Sequence, residues 1–230
     1  MKITLCFLLA IMASGTIFCQ PTKANHAITD SVRYLAMGDS YTVGRFLPTA
    51  QSFPYQLAAT LKSKGINVAV PVVLAQNGWR TDELLQRIVG TAKNETFDFV
   101  TLLIGVNNQY QNKNHETYQT EFTQILTAAI VMAKGNPQHV FVLSIPDWGS
   151  TPFANGRNLD KITTEIDEYN MINKAVADAA KVHYINIIGL SRTDGMNADL
   201  VTTDHLHPSA KMYSWWVQKI AKEVGKEFKK

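Results

Sequence analysis

Apolar segments of two kinds alternate along the chain after residue 30. Short runs with the character of buried strands alternate with longer segments whose apolar positions recur at helical spacing. The predicted strands are 32–37, 68–74, 97–104, 139–145 and 182–188. The predicted helices are 53–64, 81–93, 115–134, 160–181 and 208–228. Pro71 places the second strand at an edge of the sheet or at a bulge, because proline cannot donate to a strand ladder.

This alternation predicts an α/β fold in which a parallel five-stranded sheet is covered by helices on both faces. No internal repeat, low-complexity tract or linker divides the chain, so residues 30–230 are predicted to form one domain. The longest irregular stretches are 44–52, 146–159 and 189–207, and most of them follow strands. Because ligands of open α/β sheets bind outside the carboxyl ends of the strands, we expect these loops to converge on a site there.

The first 20 residues have the pattern of a secretory signal peptide. A single lysine precedes an apolar run over residues 3–12, and small and polar residues follow it. The run is too short for a comfortable transmembrane helix. The sequence therefore predicts export, with cleavage somewhere in 15–24, and it predicts no stable membrane span.

Composition and cysteine usage narrow the function classes. The 46% hydrophobic and 18% charged residues are typical of a globular protein, and a net charge of +3 gives no footprint for nucleic acid. Cys6 and Cys19 are the only cysteines, so a processed domain would have no disulfide and no thiol nucleophile. Phe18 stands before Cys19, where a lipoprotein signal requires a small residue, which argues against a lipid anchor.

The residues that follow the predicted strands carry the candidate chemistry. Ser40 follows the first strand, Gly78 the second and Asn107 the third, and the loop after the fifth strand holds Asp204 and His207. Ester hydrolysis by a serine requires an imidazole to activate it, a carboxylate to orient the imidazole and donors for the oxyanion. All of these groups are expected at one edge of the sheet.

From about residue 34 to 213, this set of residues resembles the SGNH hydrolases, also called the GDSL family. The matching blocks are Gly38-Asp39-Ser40, Gly78, Gly105-x-Asn107 and Asp204-x-x-His207-Pro208. The resemblance implies a serine esterase with a three-layer αβα sandwich and a flavodoxin-like five-stranded parallel sheet. Asn108 stands where the third block usually has aspartate, which leaves the implied amide donor in place.

The resemblance also implies a role for each residue and no cofactor. Ser40 would be the nucleophile, His207 the general base and then the acid, and Asp204 the group that orients His207. The backbone N–H groups of Ser40 and Gly78 and the side-chain amide of Asn107 would form the oxyanion hole. Pairing with Asp204 predicts that the pKa of His207 lies above its reference value.

Two alternative interpretations of these residues stay open in the sequence. Asp204, His205 and His207 place three potential metal ligands within four residues, and exported proteins do hold zinc or calcium. Trp79 and Trp148 flank the expected site and could bind an acyl group or a sugar, although core packing explains them equally well.

The sequence leaves the substrate open among several classes. A small-molecule ester is the expected partner, and export favours one outside the cytoplasm. Short acyl esters, including acetyl groups on carbohydrate, are the first choice because no long apolar lid is evident. A lysophospholipase or thioesterase is the alternative, and a catalytically weak carbohydrate-binding protein on the same fold is the alternative from another class.

Overall fold

The computed structural model of this chain describes residues 31–91, 95–194 and 197–228. The predicted signal peptide lies outside the described residues. Five strands form one sheet: β1 (Tyr34–Gly38), β2 (Val72–Ala75), β3 (Phe99–Leu103), β4 (Val140–Leu143) and β5 (His183–Ile185). The strands are parallel and lie in the order β2-β1-β3-β4-β5. The predicted α/β class and parallel five-stranded sheet are confirmed.

Eight α-helices connect or flank these strands in the described part of the chain. They are α1 (Ser40–Val43), α2 (Phe53–Ser63), α3 (Thr81–Thr91), α4 (Val106–Tyr110), α5 (His115–Met132), α6 (Leu159–Ala180), α7 (Ile188–Asp194) and α8 (Ala210–Phe228). The five long helices agree with the predicted ones to within two residues at each end. None of the helices in the described ranges is long and apolar enough to cross a membrane.

The strand order fixes both the layers and the position of the site. α2 packs with α8, and α3, α5 and α6 pack in series. The chain moves from β1 to β2 in one direction and from β2 through β5 in the other. Because parallel crossovers are right-handed, the two groups of helices cover opposite faces of the sheet. The order reverses between β1 and β3, and the carboxyl ends of these strands therefore border a crevice where ligands can bind.

Two predicted strand boundaries differ from the structure by three residues or more, each for a local reason. β2 begins only after Pro71, and Val68 pairs through a single isolated bridge with Val32. The second strand is nevertheless an edge strand, as predicted. β5 is shorter than the apolar run 182–188, since the Ser144 hydroxyl oxygen accepts from the backbone N–H groups of residues 187 and 188 and ends the ladder. α7 then forms within a stretch expected to be irregular.

The central strands are buried on both faces. Every residue of β1, β3 and β4 is buried, which explains why these strands read as continuous apolar runs and not as alternating ones. Tyr34 of β1 stacks on Phe99 of β3 with ring centroids 4.3 Å apart, and its hydroxyl is 2.8 Å from the Thr101 hydroxyl. The polar end of this buried ring is thereby satisfied. A rigid sheet thus supports the loops at its carboxyl edge.

Candidate active site

Ser40 is presented by a tight turn at the end of β1. Asp39 caps the one-turn helix α1, its side-chain Oδ1 accepting from the Tyr41 N–H at 2.9 Å. A Cβ on Gly38 would collide with the carbonyl oxygen of Leu103 in β3. Glycine is therefore required where β1 passes β3, and the turn can place Ser40 directly at the crevice between the two strands.

A continuous chain of contacts links Ser40, His207 and Asp204. The Nε2 atom of His207 lies 2.9 Å from the Ser40 hydroxyl oxygen, and Nδ1 lies 2.5 Å from the Asp204 carboxylate. Ser40 and His207 are buried, with 6% and 5% of their surfaces exposed. This geometry permits a proton to pass from the serine hydroxyl to the imidazole while the carboxylate fixes the ring. The three residues come from opposite ends of the sequence.

The loop that carries Asp204 is held by the same carboxylate. Oδ1 of Asp204 accepts from the Thr202 hydroxyl at 2.8 Å and from the backbone N–H groups of Leu206 and His207 at 3.1 and 3.0 Å. Burial opposes ionisation of this carboxyl, but the hydrogen bonds from His207, Thr202 and Leu206 prevail and lower the pKa of Asp204 to about 2. Asp204 is therefore ionised at neutral pH.

The pKa of His207 lies below its ordinary value, which corrects the expectation from the sequence. Burial is the main cause, because it disfavours the charged ring. The contact with Asp204 acts in the opposite direction, and the positive charge of Arg45 lowers the pKa of His207 further. A neutral imidazole, able to accept a proton, is thus the form favoured at neutral pH.

Asp39 is a second buried carboxyl next to the serine. It is fully buried, and burial raises its pKa from 3.8 to about 7 despite the hydrogen bond from Tyr41. Its Oδ2 atom has no hydrogen-bond partner among the described residues. A charge there would be unsatisfied in a low-dielectric interior, so the folded state favours the protonated acid.

Gly78 and Asn107 line the same cleft as Ser40. Gly78 has a φ of 83°, a left-handed conformation that glycine adopts without strain. Nδ2 of Asn107 donates to the Trp79 carbonyl oxygen at 3.0 Å, which orients the amide and leaves its second N–H without an acceptor among the described residues. Within the described ranges, the backbone N–H groups of Ser40 and Gly78 have no acceptor. Three donors are thus available near Ser40.

Asn108 does not line the cleft, and its side chain holds the segment that follows Gly78. Only 2% of its surface is exposed. Its side chain bonds to the backbone N–H and to the hydroxyl of Thr81, the first residue of α3. The contact joins the loop after β3 to the segment that follows Gly78, so the two candidate oxyanion donors Gly78 and Asn107 are held together.

The cleft beside Ser40 has a volume of about 370 Å³, near the lower end of the roughly 300–1,000 Å³ usual for small-molecule sites. Its walls are mostly aromatic and aliphatic. The apolar residues that line it are Tyr41, Phe46, Val106, Tyr110, Trp148, Phe153 and Leu206. Such a lining suits an uncharged acyl group or the apolar face of a ring.

Of the two tryptophans considered from the sequence, the structure brings only Trp148 to the cleft. Its ring is locked by a 2.7 Å hydrogen bond from Nε1 to Gln109, which in turn donates to Glu165 at 2.8 Å. Trp79 does not line the cleft, and this assignment is corrected. Its carbonyl faces Asn107, whereas its ring lines a separate depression beside β2 and α3.

Sequence reasoning missed Arg45, Phe46, Tyr110 and Phe153, which all border the cleft. Phe46 has a φ of 66°, a strained conformation for a bulky residue. Its ring lies 6.2 Å from that of His207, and 55% of its surface is exposed. The irregular stretches 44–52 and 146–159 indicated where Arg45, Phe46 and Phe153 would lie, but not that they face the site, and Tyr110 lies outside both stretches at the end of α4.

The arrangement of the described side chains does not support the metal-binding alternative. Across residues 31–91, 95–194 and 197–228, no group of three or more acidic, histidine or cysteine side chains is arranged to hold a metal ion. Both ring nitrogens of His207 are engaged by protein groups, and His205 is exposed with a φ of 60°.

The fold is an αβα sandwich in which Ser40 follows the first strand at the carboxyl edge of the sheet. The profile of the GDSL-like lipase/acylhydrolase family matches residues 36–215, and the chain belongs to this family. No curated protein sequence matches it significantly.

Solved structures of this class share the fold at low sequence identity. Esterase EstA from Pseudoalteromonas sp., inhibited by monoethylphosphonate, is 14% identical with a TM-score of 0.67, over 87% of this chain and 100% of that one. The lipase/acylhydrolase from Enterococcus faecalis is 19% identical with a TM-score of 0.67, over 86% and 98%. The acetylxylan esterase Axe2 from Geobacillus stearothermophilus is 16% identical with a TM-score of 0.67, over 84% and 94%. These likenesses establish the three-layer αβα sandwich.

Proposed function

We propose that this protein is an exported serine esterase that hydrolyses short acyl esters, including acetyl esters of carbohydrates, through an acyl-enzyme. The observation that carries the proposal is the Ser40–His207–Asp204 chain, with contacts of 2.9 and 2.5 Å at the carboxyl edge of the sheet. Membership of the lipase/acylhydrolase family supports the same chemistry.

In the first half of the reaction, Ser40 Oγ attacks the ester carbonyl and His207 Nε2 takes the hydroxyl proton. His207 then gives this proton to the leaving alcohol, and the acyl group remains on Ser40. Asp204 holds the ring in the tautomer that leaves Nε2 free to accept, and it stabilises the imidazolium. In the second half, His207 activates water, which releases the acid and restores Ser40.

The oxyanion that forms in both halves is assigned to three donors. They are the backbone N–H groups of Ser40 and Gly78 and the free amide N–H of Asn107. The first two have no acceptor within the described residues, and the third is oriented by the Trp79 carbonyl. Donors fixed before the reaction stabilise developing charge without reorganising, which is the largest single contribution to catalysis in many enzymes.

The size of the cleft supports small acyl groups. A volume of about 370 Å³ shared between both parts of the ester leaves limited space for a long chain. The aromatic lining also suits the apolar face of a sugar ring. Axe2, one of the structural neighbours, is an acetylxylan esterase, which is compatible with acetylated carbohydrate as the substrate class here. The lysophospholipase or thioesterase alternative requires a longer acyl group.

Export rests on residues 1–20, whose pattern is that of a signal peptide. Expression of the full chain followed by mass spectrometry of the mature N-terminus tests it. A protein that begins between residues 15 and 24 and leaves the cytoplasm supports export. An intact N-terminus in the cytoplasmic fraction contradicts it.

Kinetics with a series of p-nitrophenyl esters from acetate to palmitate tests the catalytic proposal and the chain length together. We expect kcat/KM to be greatest for acetate or butyrate and to fall for longer chains, with activity near background for Ser40→Ala. A maximum at long chains favours the lysophospholipase or thioesterase alternative. No activity on any ester, together with measurable binding of oligosaccharides, favours the carbohydrate-binding alternative.

Covalent labelling identifies the nucleophile independently. A p-nitrophenyl alkylphosphonate should release one equivalent of p-nitrophenol and add one phosphonyl group to the peptide that contains Ser40. His207→Ala, which retains the hydroxyl without its base, should react far more slowly. A label on another residue would overturn the assignment of Ser40.

A further inference from the structure

Arg45 lies beside His207 without an acidic partner. It lines the cleft, and its guanidinium lies over the Phe46 ring at 4.8 Å from the centroid. The Phe46 ring in turn contacts that of His207. Within the described part of the chain, no carboxylate pairs with Arg45, whereas Arg33 and Arg80 each form an ion pair.

The Arg45 guanidinium in this cleft therefore has no carboxylate paired directly with it among the described residues. Besides Arg45, the lining residues whose side chains can carry a charge near neutral pH are Asp204, which is ionised, and His207, which is mainly neutral. The Asp204 carboxylate is already engaged by His207 and by its own loop. Among the residues that the structure describes, no other acid lines the cleft.

When no anion lies against Arg45, its positive charge disfavours the protonated form of His207. The imidazole of His207 becomes an imidazolium during acylation, and a nearby cation disfavours that form. The field of Arg45 lowers the pKa of His207 accordingly. A negative charge placed against Arg45 would remove the penalty at the moment when the substrate is bound.

The position of Arg45 indicates which part of the substrate it meets. His207 must deliver its proton to the leaving oxygen, so the alcohol portion of the ester lies on the His207 side of the scissile bond. Phe46 contacts the His207 ring and Arg45 lies over Phe46, which puts both on that side, whereas the proposed oxyanion donors belong to Gly78 and Asn107. The Arg45 guanidinium is thus available to the alcohol portion.

We infer that the natural substrate carries an anionic group, a carboxylate, phosphate or sulfate, in its alcohol portion, and that Arg45 binds this group. The inference rests on the proposed esterase function and specifies its substrate class. A guanidinium presents a planar pair of donors that matches such anions bidentately. The anion itself undergoes no chemical change, and the acyl transfer proceeds through Ser40 as described.

Matched acetyl esters test this inference. The first pair is 4-acetoxybenzoate and its neutral methyl ester, and the second is 4-acetoxyphenyl phosphate and its neutral dimethyl ester. Each kcat/KM is divided by the rate of hydroxide hydrolysis of the same compound, which removes differences in leaving-group reactivity. The two pairs distinguish a carboxylate from a phosphate as the preferred anion.

We expect the normalised kcat/KM to favour at least one anionic ester by about fivefold or more, as for a charge-assisted hydrogen bond at a partly exposed site. Arg45→Gln should abolish this preference, and Arg45→Lys should keep part of it. Raising the salt concentration should reduce it in the wild type. Arg157 provides a matched control, because it also lies on aromatic rings, those of Tyr110, Trp148 and Phe153, without lining the cleft. Arg157→Gln should keep the preference.

Two results would overturn the inference. One is an equal or greater rate for the neutral esters in the wild type, and the other is a preference that survives Arg45→Gln. Comparison of p-nitrophenyl hydrogen succinate with p-nitrophenyl butyrate tests the side of the ester, and a preference confined to this acyl-side anion also contradicts it. Hydrolysis of the neutral esters that depends on Ser40 would leave the proposed function intact in each case, whereas failure on every ester would remove the proposed function itself.

Discussion

The side-chain amide of Asn108 holds Thr81 through two hydrogen bonds. Oδ1 accepts from the Thr81 backbone N–H at 3.1 Å, and Nδ2 donates to the Thr81 hydroxyl oxygen at 2.6 Å. The hydroxyl proton is in turn donated to Glu121. An aspartate at position 108 would offer only acceptors to a hydroxyl whose proton is already committed. The asparagine, which departs from the usual family block, therefore supplies the donor that the Thr81 hydroxyl needs once its own proton is donated to Glu121.

Asn108→Asp should lower the free energy of unfolding by about 1–3 kcal/mol at neutral pH, because it loses one hydrogen bond and adds a buried charge near Glu121. Combining it with Glu121→Gln should recover much of the loss, since the hydroxyl can then donate to the new carboxylate and accept from the new amide. Denaturant unfolding of the two single variants and the double variant measures this coupling. If the effects of the two substitutions on the free energy of unfolding simply add, positions 108 and 121 are not coupled through Thr81.

Asn107→Ala should remove one of the three proposed donors to a charge that develops only in the transition state. We expect kcat to fall by about 10²–10³, roughly 3–4 kcal/mol, with little change in KM. Asn107→Asp should be at least as harmful, because it replaces the donor with a negative charge. Steady-state kinetics on an acetyl ester checks both variants, with unfolding midpoints as the control for stability. A rise in KM at constant kcat would instead indicate ground-state binding.

The activity should depend on pH through His207, which must be neutral to accept the Ser40 proton. Because burial lowers its pKa, the acid limb of kcat/KM should have its midpoint below 6.5. Asp204→Asn removes a cause that raises this pKa and should move the midpoint downward, besides reducing the rate. Arg45→Gln removes a cause that lowers it and should move the midpoint upward. Shifts in the same direction for both variants, measured with a neutral ester, would refute this electrostatic account.

Asp39 should make the protein less stable as the pH rises from about 4 to about 7. An unfolded aspartate loses its proton near 3.8, whereas folded Asp39 keeps it to about 7. In this window the folded state binds more protons, so the free energy of unfolding decreases with rising pH. Asp39→Asn cannot titrate and should have a flatter profile in denaturant unfolding.

Asp204 gives a matched comparison for Asp39, because its pKa is shifted in the opposite direction. Its folded pKa of about 2 lies below the ordinary value of 3.8. Its contribution to stability is therefore present above 3.8 and lost as the pH falls toward 2. Asp204→Asn should remove this loss of stability at acidic pH, whereas Asp39→Asn should retain it, and the reverse pattern would contradict both assignments.

The sequence alone was enough to predict the order of long elements and the parallel sheet. Helical spacing is a local property, and strands buried on both faces appear as continuous apolar runs. Both patterns can therefore be recognised in the sequence without the fold. Motifs confined to a few residues were equally visible, including Gly38-Asp39-Ser40 and Asp204-x-x-His207. The short helices α1, α4 and α7 were not, because one or two turns form only where the surrounding fold supplies caps and packing.

The tertiary structure decided which residues meet and what their surroundings do to them. Ser40 and His207 lie 167 positions apart in sequence. The packing of α8 against α2, with the Tyr213 hydroxyl donating to the Tyr41 carbonyl oxygen, holds the segment of His207 beside that of Ser40. Trp79 and Trp148 looked equivalent in sequence, yet one ring faces the depression beside β2 and the other the cleft. The pKa of His207 was expected to rise on account of Asp204, but it falls because burial outweighs that pairing. Distances, side-chain directions and burial depend on contacts between remote segments, which a linear pattern does not contain.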